Sequence, residues 1–456
     1  MSDDLTISGG VAGIAAHQDD LLSHAAILDG VGRDFEEVAA TLASINLSPD
    51  IAEAAVLCPI EVAEAEAALV AANLGPDGAA VAWAKAEVSA EFLRFSVNAY
   101  CEVDTLMAEF VKQAEFAAGV AVGYLEPSML ATPALVQGDD IQAALYEHPW
   151  LQEVVARGAP GYVQGVMLSF GGIGLVPLLS GGNWPTPDLQ GALRGLVAIG
   201  AQAGVLQDSG TFAVRRLDQP SPHLDLSSDR FISHVITEQQ LLAECEAQVQ
   251  IVKVDNSGGP AYLVQIPGTQ DWGSVRGRNP VDLTTNVNLA AGNETKLVRA
   301  VVDAMREEHI PAGAPVMLSG HSQGGMVAAD IASNPRYRNE FNIQAVLTAG
   351  SPIGHAKIPS HVSVMSLEEK QDLVPKLDGV DNPDAPNWVT VTRDLAAGAA
   401  DPHHDLAAAH SLVNYQQTAG EVDRSDQAAV AAWRDQNREF FGMGSARRYA
   451  ITRVGD

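Results

Sequence analysis

Apolar residues recur at three- and four-residue spacing through the first quarter of the chain. Phe35, Val38, Leu42 and Ile45 fall on one helical stripe. Asp34, Glu36 and Glu37 open that stretch, where acids complement a helix dipole. Pro49 ends the segment, Pro59 precedes an Ala/Glu-rich helix over Glu61–Leu74, and Gly75-Pro76-Asp77-Gly78 breaks the chain again. The longest periodic run follows, through Val81, Val88, Phe92, Phe95, Ala99, Val103, Leu106 and Phe110. A helix of that length spans ~45 Å. The expectation is a bundle of long antiparallel helices over residues 1–115. Residues 116–225 are rich in Gly, Ala and Pro, with shorter helices at Leu151–Arg157 and Leu189–Ala203 and no chemical constellation. They are assigned to one mainly α-helical N-terminal region, 1–225.

From about residue 226 the period changes from helical to strand-like. Val249–Val254 and Ala261–Ile266 are runs rich in β-branched residues on either side of Asn256-Ser257-Gly258-Gly259, which predicts a β-hairpin. Further strands are expected at Pro315–Ser319, Ala345–Thr348, Val362–Leu367 and Trp388–Thr392. Helices at Glu294–Glu308 and Met326–Ser333 fall between them. Strands alternating with helices predict a mostly parallel sheet covered on both faces, an α/β domain over 226–456. Gln270–Asn293 shows neither period and reads as a long loop, with Trp272, Arg276, Arg278 and Asp282 available to touch a substrate.

Composition narrows the partners. The 456 residues are 47% hydrophobic and 18% charged, as in a folded globular chain of about two domains. A net charge of −30 opposes binding to nucleic acid or anionic lipid headgroups. Cys58, Cys101 and Cys245 match no metal or redox spacing. Met1–Leu5 lacks the basic and apolar regions of a secretory signal, which leaves a cytoplasmic location or export without a cleaved signal. The most apolar run, Gly165–Leu179, carries four glycines and a proline and reads as a buried packing segment, not a membrane span.

Candidate chemistry is concentrated after residue 314. The apolar strand Pro315–Ser319 feeds Gly320-His321-Ser322-Gln323-Gly324, and a small-residue helix follows at once. Strand, G-x-S-x-G and helix in that order form a nucleophile elbow. Its glycines are needed because strand and helix cross too closely for Cβ atoms at 320 and 324. Ser322 is the expected nucleophile, and it needs a base and an acid to orient that base. In the order Ser, acid, His, the loop after Val362–Leu367 supplies Asp372, with Glu368 and Glu369 as alternatives. The base is His410, with His404 as the alternative; His403 and His404 lack the spacing of a zinc site. His355 and His361 precede Asp372 and read as structural. No metal or organic cofactor is expected.

Residues 245–420 resemble the class-three (fungal-type) triacylglycerol lipases and their bacterial relatives, members of the α/β-hydrolase superfamily. Gly320–Gly324 matches their elbow, Asp372-Leu373-Val374-Pro375 their D-x-V-P segment, and His410 with Tyr415 their histidine region. Ile266-Pro267-Gly268-Thr269 is similar to their R-G-T/S segment, with Pro267 in place of the arginine. The resemblance implies a serine hydrolase acting on carboxylic esters, lipid or phospholipid among them. It also implies an oxyanion hole made by the backbone N–H groups of Thr269 and Gln323.

Residues 1–115 resemble the helical-hairpin proteins of actinobacterial type VII secretion, through Trp83 and the Y-x-x-x-D match Tyr100–Asp104. That implies an exported effector whose helices bind a protein partner. A non-catalytic binding protein on a hydrolase scaffold is the further alternative, against which the intact Ser, Asp and His stand.

Overall fold

A computed structural model describes residues 5–10, 16–46, 58–75, 78–90, 94, 116, 120, 139–179, 188–202, 204–218, 223–227, 229–256, 258–273, 277–396 and 406–454. Ala15–Phe110 forms one compact unit, and Met1–Ile14 with Val111–Asp456 forms the other. Residues 111–225 and the first strand both join the sheet-containing unit.

In the smaller unit, α1 (Ala16–Asn46) contacts α2 (Pro59–Leu74), and helical backbone resumes over 79–90. Pro59 opens α2, where its missing N–H would have had no helical partner. The buried side of α1 is not the expected stripe. Phe35, Val38 and Ile45 are 38–48% exposed, whereas Ala25, Ala79, Ala86 and Ala90 are buried. Small residues line the contact because they let backbones approach, and Gly32 faces Ala86 and Trp83 at that point. Asn73 Nδ2 donates to the Ala39 carbonyl at 3.2 Å, and Arg94 pairs with Asp29. Tyr100–Asp104 and Cys101 lie outside the described residues.

The larger unit holds a ten-stranded sheet. Its strands are β1 (Leu5–Gly9), β2 (Thr211–Arg216), β3 (His223–Leu226), β4 (Gln248–Asn256), β5 (Gly259–Ile266), β6 (Pro315–His321), β7 (Asn342–Ala349), β8 (Ser363–Glu369), β9 (Trp388–Arg393) and β10 (Gly442–Val454). They run in the order β1-β9-β8-β7-β6-β5-β4-β10-β2, with β3 also on β10. β5 to β9 are parallel neighbours, and antiparallel pairs flank them. The predicted hairpin is β4–β5, its turn held by Asn256 Oδ1 accepting from Gly258 N and by Gly259 at φ +113°. Strands β1, β2, β3 and β10 have no counterpart in the reading of the sequence.

Alternation along the strands feeds two cores. In β6, Val316 and Leu318 join one cluster while Met317 joins the other, and in β7 Ile343 and Val346 oppose Ala345 and Leu347. One face is covered by α8 (Lys296–Glu307), whose Leu297, Val298, Val301, Val302 and Met305 are buried, and by α9 (Gln323–Ser333). The other is covered by α6 (Phe231–Ala243), α12 (Leu412–Asp423) and α13 (Ala428–Gln436). Burial on both sides explains why the central strands are continuous apolar runs. Gly165–Leu179 lies within α4 (Pro149–Leu179), and no helix among the described residues is long and apolar enough to cross a membrane.

The expected loop 270–293 carries a helix, α7 (Leu283–Ala290). Asp282 caps it by accepting from Thr285 N at 2.8 Å. The other carboxylate oxygen of Asp282 pairs with Arg453 Nη1 of β10 at 2.8 Å, both side chains being almost fully buried. Arg453 also donates to the Gly277 carbonyl. The last strand thus holds the loop and the start of α7 in place. Arg453→Met leaves a buried carboxylate unpaired and should cost about 3–5 kcal/mol. Chemical unfolding of the variant checks this, with Asp282→Asn/Arg453→Met expected to recover part of the loss.

Candidate active site

β6 ends at the middle of the sheet, and the chain turns into α9 through Ser322. This residue sits at φ 53° and ψ −120°, a region that side-chain-bearing residues avoid. The surrounding geometry enforces it. A Cβ on Gly320 would lie 2.1 Å from the Gly324 carbonyl carbon, and one on Gly324 would lie 2.1 Å from the Ile266 carbonyl oxygen. A Cβ on Gly325 would meet Ser351 Oγ at the same distance. β5, β6 and α9 therefore cross backbone to backbone, and the turn between them has no relaxed alternative. Ser322 N donates to the Ala349 carbonyl at 3.0 Å, which fastens the turn to the end of β7.

The loop after β8 brings Asp372 to the same edge, fully buried. Its Oδ1 accepts from Val374 N at 2.9 Å. Its Oδ2 accepts from His410 Nδ1 at 2.7 Å and from the Tyr415 hydroxyl at 2.6 Å. The carboxylate is thereby fixed by three donors. Tyr415 is a buried phenol whose pKa is pushed well above its usual value by burial and the nearby carboxylates, so it remains a donor. Its oxygen in turn accepts from Glu369 N at 3.3 Å. Glu368 and Glu369 do not contact His410. Glu368 accepts from Asn382, and Glu369 pairs with Arg393 and Thr418; burial pushes both up to about 7.

His410 precedes α12, whose N-cap Ser411 accepts from Asn414 N. Because Nδ1 donates to Asp372, Nε2 carries the free lone pair. Its ring stacks on His321 with centroids 4.6 Å apart. His321 Nε2 donates to the His410 carbonyl at 3.1 Å, and burial together with His410 holds its pKa well below the usual range. His321 is thus a neutral spacer that positions the backbone of His410. Among the described residues, no hydrogen bond joins Ser322 Oγ to His410. His403 and His404 lie outside the described residues, as does Arg276. His361 is exposed, and His355 Nε2 donates to the Asp378 carbonyl.

Thr269 and Gln323 are brought together by a residue the sequence reading passed over. Gln323 Nε2 donates to Asn286 Oδ1 at 2.9 Å, and Asn286 Nδ2 donates to Thr269 Oγ1 at 2.7 Å. Gln323 Nε2 also reaches the Asp282 carbonyl at 2.8 Å. The network ties the loop after β5, α7 and the start of α9 to one another. As the first residue of α9, Gln323 has no intrahelical partner for its N–H. The Thr269 N–H likewise has no acceptor among the described residues. The available signal was Asp282 as a cap, followed by Thr285, Asn288 and Leu289 on a buried face. Thr and Asn, weak helix formers, obscured it.

A cavity of about 670 Å³ opens onto Ser322. Leu283, Asn286 and Leu289 of α7 and Met326 and Ala329 of α9 line it, with Pro352 and Ile353 beyond. Leu189, Gln190 and Arg194 come from α5 (Leu189–Gln202), so the segment without apparent chemistry supplies one wall. Trp272 stands 65% exposed at its lining. Among the described residues no group of three His, Cys, Asp or Glu side chains could hold a metal ion.

Gly320→Ala and Gly324→Ala should abolish soluble folded protein, read by size exclusion and circular dichroism. Ser322→Gly should instead relieve backbone strain and raise the unfolding free energy by about 1 kcal/mol. An unchanged or lower stability in Ser322→Gly would contradict the strain argument. No protein-family model, curated protein or solved structure matches this chain.

Proposed function

We propose that the chain is a serine ester hydrolase of the α/β-hydrolase type, forming an acyl-enzyme on Ser322. The observation that carries this reading is the convergence, at one edge of the sheet, of the strained Ser322 and the buried Asp372–His410 pair. Asp372 holds the imidazole by Nδ1, which leaves Nε2 to take the hydroxyl proton of Ser322. The Ser322–His410 hydrogen bond forms as substrate fills the cavity, since catalytic hydrogen bonds often tighten only in the complex. Ser322 Oγ then bonds to the ester carbonyl carbon, and the charge on its oxygen faces the N–H groups of Thr269 and Gln323. His410 gives the proton to the departing alcohol, and a water deprotonated by His410 releases the acid from Ser322.

The apolar lining of the cavity favours an acyl chain, in keeping with the lipid esters that the resemblance to class-three lipases implies. A fluorophosphonate probe should label the wild-type protein and not Ser322→Ala. Asp372→Asn should lower kcat on the order of 10⁴-fold by misorienting the base. Folded wild-type protein that takes no label would sink the proposal.

A further inference from the structure

The wall that α9 gives the cavity is not apolar along its whole length. Ser322, Met326, Ala329, Asp330 and Ser333 line it from one face of α9. Eight residues of helix separate the nucleophile from Asp330, about 12 Å along the axis. The Asp330 carboxyl receives no hydrogen bond from any described residue, and its Oδ2 is buried without a partner. Ser333 Oγ, one turn further, is also buried and unpartnered. Asp378, the other carboxylate of the lining, differs in this respect, because the N–H groups of Gly354 and Val380 satisfy it.

Among the described residues, no cation compensates Asp330 either. Arg194 lines the cavity but donates to the Ala291 carbonyl and to Gln190, and neither it nor Lys357 forms an ion pair with Asp330. Burial, with the Glu294 carboxylate nearby, pushes Asp330 up to about 6. Glu294 is already occupied by Arg299 and Tyr337. A carboxylate placed this way is costly unless a ligand supplies both a donor and a positive charge.

We propose that Asp330 is a specificity residue that anchors a protonated amine at the far end of the substrate's acyl arm, about 12 Å from the scissile ester. The proposal rests on the hydrolase reading for the identity of the substrate, but not for the existence of the amine subsite. A hydroxyl would satisfy one lone pair and leave the charge uncompensated, whereas an ammonium group does both. The net charge of −30 also concentrates cations around the protein.

The test compares p-nitrophenyl esters of a straight-chain acid, its ω-hydroxy analogue and its ω-amino analogue, with a chain that spans about 12 Å. At pH 8 the amino ester should show a KM lower by about tenfold than the methyl-ended one, with similar kcat. Asp330→Asn and Asp330→Leu should each bring that ratio near one. Equal KM values in the wild type, or a preference that survives both variants, would overturn the proposal while leaving ester hydrolysis in place. A preference for the hydroxy ester over the amino ester would overturn it too. A second measurement needs no turnover: calorimetric binding of an alkylammonium ion to Ser322→Ala, expected to weaken about tenfold in Ser322→Ala/Asp330→Asn. Binding that is absent, or equal in the two variants, would refute the amine subsite even if no ester is hydrolysed.

Discussion

The rest of the larger unit depends on a crossing with no room for side chains. Where β5, β6 and α9 meet, a single added carbon at Gly320 or Gly324 would fall far inside van der Waals contact with neighbouring backbone. That closeness bends the chain through an unfavourable conformation at Ser322 and leaves its hydroxyl at the mouth of a cavity. The cost is local, on the order of 1–3 kcal/mol. Two apolar cores, one on each face of the sheet, hold the crossing shut.

Around that point the polar groups are arranged in depth. Asp372 is fixed by Val374, Tyr415 and His410, and Tyr415 is itself fixed by Glu369 N. Across Ser322, Gln323, Asn286 and Thr269 form a second chain of hydrogen bonds. The two networks share no residue, so the acid–base side and the oxyanion side of the proposed reaction are held independently. Asp282 extends the second network to β10 through Arg453.

What the sequence made legible followed physical period and steric need. The β4–β5 hairpin, β6 to β9, and the elbow were readable because β-branched runs and glycines answer local demands. Chain order admits Asp372, Glu368 and Glu369 alike, and it was the Asp372-Leu373-Val374-Pro375 match to the lipase D-x-V-P segment that set Asp372 apart; the structure joins Asp372 alone of the three to His410. Other features were not local. β10 carries two glycines and six charged or hydroxyl-bearing positions among its apolar ones, and its strand character comes from its three partners. The exposed Phe35, Val38 and Ile45 show the converse case. Periodicity marked them as one face of a helix, but it could not say that the alanines would take the interior. The wall that α5 gives the cavity had no motif at all, because apolar lining residues look like any core.

The sheet's edges have a consequence for how the molecule is assembled. Among the described residues, β1 pairs only with β9, and β2 and β3 pair only with β10, the latest strand in the chain. Leu5 and its partner Arg393 stand roughly 390 residues apart, a loop whose closure is entropically disfavoured until the strands between are in place. During synthesis, three strands therefore leave the ribosome long before these partners exist. The parallel centre, β5 to β9, needs none of them and is the natural first body to form. The flanks must then be added from opposite ends of the chain, so the two sides of the sheet close after the elbow has already been built.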